Sequence, residues 1–417
     1  MRSFTLFLTL AFLFFPNFSL CASWLNTGFL LESAASVDKN LPGNLAYPDY
    51  KTSTTNLFVS VNIRPLANLQ ADTLFHASYS YISYDSISED DTDFNIYKFS
   101  AIYKNSLFYV NAGRQFFGQK NTLLPYYGVY DNFNLPAASS IDGVTAGFTP
   151  ARWLEFSVMA AEETKDDKAD IAGAEVKFTP VSFLEITPFF FSKEYKDESI
   201  WLDKKLQMYG LYGNLDLGFG TLLHLSYAQN GGETKNTLLR SKKPDEYKGH
   251  AFLAKLNTEN VGRAGFYKVR FLYARSSGYA KGKDYSHFEG IHPYIYMGSI
   301  FTGSNLPNSF QHTMNITDFT NGGIDNLTAY NFGATFIPKF ADFIALDFDI
   351  FAIAQSANPV ADTDIGSEMD IALTITPFKN FNITLGYARF SPGNALKQMN
   401  IASKDVEQYS GKISFKF

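Results

Sequence analysis

The feature that most constrains this chain is an alternation of apolar and polar residues that recurs along nearly its whole length. In residues 366–377 the apolar side chains occupy every second position: Met369, Ile371, Leu373 and Ile375. A period of two residues indicates a β-strand with one apolar face, because an amphipathic helix repeats every 3.6 residues. Each such stretch is about ten residues long, the length of a tilted strand that crosses a membrane. The pattern therefore favours membrane-spanning strands.

Eighteen stretches of this kind follow one another along the chain. We predict strands near residues 24–34, 55–64, 71–84, 94–104, 107–115, 139–149, 152–162, 170–179, 183–193, 205–217, 220–229, 247–257, 264–275, 328–338, 343–356, 366–377, 380–391 and 406–417. Five connections begin with a proline: Pro65, Pro150, Pro180, Pro338 and Pro377. Proline cannot donate a hydrogen bond to a strand ladder, so it belongs at strand ends and tight turns. All five follow an even-numbered strand, which places short turns on one side of the sheet.

The connections after odd-numbered strands are mostly longer, with two long loops near residues 116–138 and 276–327. Short turns on one side and long loops on the other are typical of outer-membrane barrels. We therefore predict an all-β fold, a transmembrane antiparallel up-and-down β-barrel with short periplasmic turns and long extracellular loops. A soluble β-propeller or solenoid is the alternative, but its strands are shorter and repeat by motif.

The first residues of the chain have the features of an export signal. Arg2 supplies a positive charge, residues 4–15 form an apolar run, and Pro16 interrupts it. Such a run is too short for a membrane helix and is typical of a secretory signal peptide. We predict a signal peptide at residues 1–22 and a single transmembrane β-barrel domain at residues 23–417. Lipidation of Cys21 is the alternative, although the large side chain of Leu20 disfavours it.

The composition narrows the classes of function. The chain contains 41 Phe and 25 Tyr, which an outer-membrane barrel places in girdles at its two interfaces. A formal charge of −6 provides no basic surface, so we expect no nucleic-acid partner. The six His residues lack metal-ligand spacing, and nucleophile and nucleotide-binding motifs are absent from the sequence. We therefore expect no enzymatic activity, no metal and no cofactor.

The alternation also assigns charged residues to the inside of the barrel. In residues 264–275 the apolar side chains form the lipid face, so Lys268 and Arg270 must point into the lumen. A cation that faced lipid at the midplane would cost about 2–4 kcal/mol. Four carboxylates on two adjacent strands form an acidic wall by the same argument: Asp347, Asp349, Glu368 and Asp370. Two interpretations remain: the lumen charges are simply solvated, or opposed acidic and basic walls set a field across the pore that orients a polar or charged solute.

The final strand alternates up to the last residue of the chain. One row of this strand contains four large apolar or aromatic residues: Tyr409, Ile413, Phe415 and Phe417. A terminal Phe after such alternation resembles the assembly signal of bacterial outer-membrane proteins. We therefore predict that this row takes part in assembly, with the barrel-assembly machinery and outer-membrane lipid as partners.

Two groups of residues resemble the alginate-export family of outer-membrane channels. Gly113-Arg114-Gln115 and Asp142-Gly143-Val144 flank the first long loop, as a Gly-Arg-Gln-like strand end and an Asp-Gly-Val strand start do in that family. The second group is Gly366-x-Glu368-x-Asp370, followed by Gly386-Tyr387-x-x-Phe390-x-Pro392-Gly393. The resemblance implies a monomeric, substrate-specific, porin-like channel. It also implies four residues at the pore constriction: Arg114, Asp142, Glu368 and Asp370.

Two details depart from the family pattern. Strand parity turns Arg114 outward if Val110 and Ala112 face lipid, unless a bulge intervenes or the strand ends above the membrane. The predicted lumen is also mixed in charge, whereas an alginate exporter is expected to carry an excess of basic residues.

Together these patterns favour a channel in the outer membrane of a Gram-negative bacterium. It would pass a hydrophilic solute passively, such as a saccharide, a polyuronate or another organic anion. A surface-exposed adhesin or receptor, whose barrel only displays functional loops, is the alternative. We also expect the two long loops to fold over or into the pore, because loops of this length are usually functional or disordered and these are rich in aromatic residues.

Overall fold

The computed structural model describes residues 24–40, 49–84, 87–129, 138–164, 169–195, 202–236, 245–278, 286–292, 294–297, 299–301, 326–357, 362–398 and 403–416. Most of these residues belong to eighteen strands. The strands are Leu25–Lys39 (β1), Asp49–Leu66 (β2), Leu69–Tyr84 (β3), Ile87–Lys104 (β4), Phe108–Gln115 (β5), Ile141–Ala151 (β6), Leu154–Glu163 (β7), Ala169–Val181 (β8), Leu184–Tyr195 (β9), Leu202–Gly218 (β10), Thr221–Asn236 (β11), His250–Val261 (β12), Gly265–Ser276 (β13), Leu327–Pro338 (β14), Ile344–Gln355 (β15), Asp364–Phe378 (β16), Phe381–Pro392 (β17) and Val406–Lys416 (β18).

Each strand pairs antiparallel with its neighbours along the chain, and the last strand returns to the first. β18 pairs with β1 from Lys416 opposite Leu30 to Glu407 opposite Lys39. This pairing closes the sheet, so each of the eighteen strands has a partner strand on both sides, as a barrel in lipid requires. The predicted antiparallel up-and-down barrel of eighteen strands is therefore confirmed.

Shorter elements lie on the side of the long loops. A two-stranded ribbon pairs Phe117–Gly118 with Tyr126–Tyr127, and Asp245–Glu246 pairs with the end of β11. A helix at Asn394–Gln398 (α1) buries Ala395 and Leu396. Among the described residues, no helix has the length and hydrophobicity needed to cross a membrane.

The two ends of the barrel differ as predicted. Connections after even-numbered strands are two to five residues long, whereas the connection between β13 and β14 has 50 residues. Four of the five prolines lie one residue before the end of a strand, where the ladder shifts register: Pro65, Pro150, Pro180 and Pro377. Proline has no N–H, so the ladder is interrupted there and resumes for one last pair before the turn.

Several strands extend further towards the long loops than the alternation indicated. β2 begins at Asp49 instead of residue 55, and β4 begins at Ile87 instead of residue 94. The added part of β4 is mostly polar, so it carries no apolar–polar alternation that could mark a strand. It is ordered by backbone pairing with β3, which continues to Tyr84 opposite Ile87.

The outer face is apolar wherever the alternation predicted a lipid face. Tyr267, Val269 and Phe271 on β13 are exposed on that face, and Lys268 and Arg270 between them line an internal cavity. The inward orientation predicted for both cations is therefore confirmed. On β18, Tyr409 and Ile413 are exposed on the same outer face, and the Phe415 ring lies 6.0 Å from the Phe381 ring.

Two predicted segments fall outside the described residues. Residues 1–22, assigned to a signal peptide, and Phe417, assigned to the assembly row, are not among them. Both assignments stay predictions.

Neighbouring positions on β16 test the assignment of the two faces. Ile371 lies on the outer face at the middle of the strand, and Ala372 lines the internal cavity. Ile371→Arg should lower the free energy of unfolding in phospholipid bilayers by about 2–4 kcal/mol, because its charge would face lipid. Ala372→Arg adds the same charge to the lumen and should have a clearly smaller effect. Equal losses of stability would contradict the assignment.

Candidate functional site

Parts of the two long loops fold inside the barrel. Five side chains of residues 286–301 are at most 1% exposed: Phe288, Ile291, Ile295, Ile300 and Phe301. They belong to one buried apolar cluster with side chains from the inner faces of the strands. The described part of this loop therefore occupies the lumen, as the aromatic content of the loops led us to predict.

The inner wall is apolar on the side of the long loops, which the sequence did not lead us to expect. Its side chains come from strands on much of the circumference: Met159, Ile171, Phe191, Leu206, Met208, Leu253, Leu272, Phe351, Ile353 and Phe390. Simple alternation predicts a polar lumen, so these residues were missed. One signal was present, because Phe189-Phe190-Phe191 places apolar residues on both faces of β9 and so departs from a one-sided strand.

The two loops contact each other as well as the wall. The Asn121 N–H donates to the Tyr294 carbonyl at 2.7 Å, and the Tyr126 N–H donates to the His292 carbonyl at 2.8 Å. The Asn121 side-chain oxygen accepts from the Tyr296 N–H at 2.9 Å. Residues 116–129, 286–292, 294–297 and 299–301 thus form one unit inside the barrel, which we call the plug.

Two predicted constriction residues on β16 hold one end of the plug. Glu368, which is 1% exposed, accepts hydrogen bonds from the N–H groups of Ile300 at 2.6 Å and Phe301 at 2.9 Å. Asp370 accepts from the Ser299 N–H at 2.9 Å and from the Tyr296 hydroxyl at 3.0 Å. Burial, and then the nearby Asp370 carboxylate, raise the pKa of Tyr296 well above its usual value, so its hydroxyl remains a donor. We call Glu368 and Asp370 the carboxylate clasp.

A third carboxylate holds the opposite side of the plug. Glu163 on β7 accepts from the Tyr127 hydroxyl at 2.6 Å and from Lys193 on β9 at 2.9 Å. His292 stacks on Tyr127 with 4.4 Å between ring centroids, and its Nδ1 lies 3.5 Å from Glu163. Lys204 on β10 forms an ion pair with Glu289 of the plug. These contacts tie both loops to the wall on β7, β9 and β10.

Beside the clasp the lumen contains a cavity of 530 Å³. Lys268 and Arg270 line it together with three of the four predicted wall carboxylates: Asp347, Asp349 and Asp370. The plug contributes Asn121, Tyr296 and Ser299. The cavity is therefore the place where most of the predicted lumen charges meet, and where the plug narrows the path.

Two of the three cations that line the cavity, Lys268 and Arg270, are paired with carboxylates, which contradicts the prediction of two opposed walls. Arg270 on β13 donates to Asp349 on β15 at 2.8 Å, across the intervening strand β14. The residue between them is Gly333, where a Cβ would overlap Asp349 and approach Arg270 Nε to 2.9 Å. Lys268 pairs with Glu259 of β12 at 2.5 Å. The cations and carboxylates therefore neutralise each other along the wall instead of facing one another across the pore.

Arg114 and Asp142 lie elsewhere. Arg114 donates two hydrogen bonds to Asp142, at 2.9 and 2.7 Å, and their side chains are 36% and 47% exposed. Phe99, which lies opposite Arg114 on β4, is exposed on the outer face, and so is Val144, two residues after Asp142. Ile141, next to Asp142, is buried inside. Strand parity was therefore correct for Arg114. The constriction positions implied for these two residues by the family resemblance are corrected, because both side chains point away from the lumen.

No metal site accompanies this arrangement in the part of the chain that the structure describes. Within those residues, no group of three or more His, Cys, Asp or Glu side chains could hold a metal ion. The chemistry available around the cavity is hydrogen bonding and charge.

The carboxylate clasp can be tested by releasing the plug. Glu368→Ala with Asp370→Ala leaves buried N–H groups of residues 299–301 unpaired, at a cost of about 1–3 kcal/mol for each group. This end of the plug should detach, and single-channel conductance should rise. Asp347→Ala removes a cavity carboxylate that does not hold the plug, so it controls for charge alone. Unchanged conductance in the double variant would show that the clasp does not limit the path.

The cavity position of Arg270 leads to a second test. Arg270→Gln leaves the Asp347 and Asp349 carboxylates without their cation, so the reversal potential in a salt gradient should move towards cation selectivity. Arg275→Gln removes the same charge from the outer face of the same strand and should leave the reversal potential unchanged. A similar shift in both variants would place the effect outside the cavity.

Comparison with known proteins is informative at the level of fold. No family model matches the chain, and no curated protein sequence matches it significantly. Among solved structures, Pseudomonas aeruginosa OccK2 (OpdF) in complex with glucuronate is similar with a TM-score of 0.58 and 12% identity, over 94% of this chain and 98% of that one. OpdK with vanillate, from the same organism, has a TM-score of 0.57 and 12% identity over the same shares. The outer membrane protein OprD from P. aeruginosa has a TM-score of 0.54 and 9% identity, over 94% and 93%. At these identities the likeness shows a shared fold, the closed eighteen-stranded barrel described above.

Proposed function

We propose that this protein is a passive channel for a hydrophilic solute in the outer membrane of a Gram-negative bacterium. The observation that carries the proposal is the 530 Å³ polar cavity inside a closed barrel whose outer face is apolar. Barrels of sixteen to eighteen strands are wide enough to enclose an aqueous channel, and the described residues of the plug leave this cavity beside them.

The proposed location follows from the outer surface and from the fold. Large apolar and aromatic side chains are exposed on strands around the barrel, for example Val158, Leu211 and Phe332. Such a band cannot face water over a wide area without aggregation, and lipid is its natural environment. The structural neighbour OprD is described as an outer membrane protein. Residues 1–22 would serve as the signal peptide for export.

The candidate solutes are saccharides, polyuronates and other organic anions. Two structural neighbours were solved with glucuronate and with vanillate, which supports small hydrophilic solutes for a barrel of this kind. The motifs that resemble the alginate-export family are consistent with a saccharide-related solute, whereas the paired lumen charges argue against alginate itself. We further propose a monomer without enzymatic activity, nucleic-acid partner or cofactor. The outer row Tyr409, Ile413, Phe415 and Phe417 would serve barrel assembly.

Purified protein in planar lipid bilayers tests the channel function. Stepwise insertions with ohmic conductance are expected, since the cavity provides polar space beside the plug. Ala372→Arg, which fills part of the cavity, should lower the conductance of each step, whereas protein unfolded by heat should give no steps. A folded, inserted barrel that conducts no ions would overturn the proposal and favour an adhesin or receptor that displays its loops.

A further inference from the structure

We propose that the lumen is charge-compensated and therefore passes neutral polyhydroxylated solutes, such as polyols or neutral sugars, in preference to organic anions of the same size. This inference rests on the proposed channel function and names the solute class of the same cavity. It is carried by the pairing of lumen cations with carboxylates on the neighbouring strand or on the next strand but one.

The charges that line the cavity are balanced in number. Its three cations are Lys255, Lys268 and Arg270, and its three carboxylates are Asp347, Asp349 and Asp370. Arg270 lies 2.8 Å from Asp349 and 3.7 Å from Asp347, and Lys268 is paired with Glu259 just outside the lining. Asp370 is committed to hydrogen bonds from the plug. Lys255 has no carboxylate partner among the described residues, but the three carboxylates equal the three cations in number, so an anion entering this space meets no surplus of positive charge.

The same pattern continues around the inner wall. Four further lumen lysines each lie within 3.4 Å of a carboxylate, in the pairs Lys98–Asp72, Lys177–Glu185, Lys193–Glu163 and Lys412–Glu32. A Lys or Arg directly beside a carboxylate has little net field at a distance, because the two charges cancel. The described wall thus offers no continuous row of unpaired cations along which an anion could move.

The energetic consequence differs between solutes. A carboxylate that leaves water for a confined pore loses hydration, and an unpaired cation on the wall is needed to offset that loss. A neutral sugar loses less, and its hydroxyl groups can both donate and accept hydrogen bonds. The cavity supplies uncharged partners of that kind: Asn121, Asn257, Thr374, Thr384 and Ser410. Its volume is within the range of pockets that hold small organic molecules.

Glucose and glucuronate form a solute pair of nearly equal size that differs in one carboxylate. Liposomes that contain the protein should release glucose faster than glucuronate, both measured as efflux per folded barrel. Faster efflux of glucuronate, or equal rates, would overturn this inference and leave the channel function intact. Efflux of neither solute would overturn the channel function, and this inference with it.

Replacing a carboxylate that is paired with a lumen cation should raise the efflux of glucuronate relative to glucose. Asp349→Asn leaves Arg270 with a weaker counter-charge, so the glucuronate-to-glucose ratio should rise about fivefold, a size expected for one unit charge in a partly solvated site. Glu32→Gln, which removes the carboxylate paired with Lys412 on a different part of the wall, should act in the same direction. Asp142→Asn removes a carboxylate from the outer face and should leave the ratio unchanged. If neither lumen variant raises the ratio while both fold normally, pairing does not control the selectivity.

Discussion

The structure depends on one constraint, which is that a chain crossing lipid must pair every backbone N–H and C=O group within itself. For β-strands this is achieved only by closing the sheet, and here closure is the pairing of β18 with β1 over ten residues of each strand. The other features follow from it. Because the sheet is closed, successive side chains point alternately to lipid and lumen, and each charged residue within the lipid-spanning part has only one face that it can occupy at low cost.

Closure leaves a second problem inside the barrel, where the inner wall combines apolar surface with many charges. The apolar part is covered by the plug, which buries Phe288, Ile295 and Phe301 against it. The charged part is satisfied by ion pairs between neighbouring strands and by backbone N–H groups of the plug. Glu368 shows how the plug does this, because its carboxylate is only 1% exposed and accepts hydrogen bonds from two backbone N–H groups of the plug. A charge buried without such partners would be strongly unfavourable.

Much of the barrel could be predicted because alternation is a local signal. Alternation predicted the number of strands and the inward direction of Lys268 and Arg270. It also predicted that Arg114 points outward, whereas the family resemblance implied a position at the pore constriction. Contacts between distant residues could not be read in this way. The bond between Asn121 and Tyr294 joins two loops that are far apart in sequence, and no local pattern marks it. The Arg270–Asp349 pair was missed for another reason, because its formation depends on the absence of a side chain at Gly333. A glycine between a cation and a carboxylate on flanking strands is a signal that sequence reading can use.

The apolar contact between the plug and the wall has a mechanical consequence. A loop held only by polar contacts can exchange them for water and swing out, whereas one that buries several aromatic and aliphatic side chains exposes them, and the wall behind them, when it leaves. Each fully buried side chain of this kind contributes about 1.5–3 kcal/mol. Withdrawal of the whole plug would therefore resemble local unfolding, and thermal motion at its margins can alter the aperture only slightly. The described residues of the plug are thus fixed to the wall by packing as well as by hydrogen bonds, and removing them would expose apolar surface on both sides of the contact.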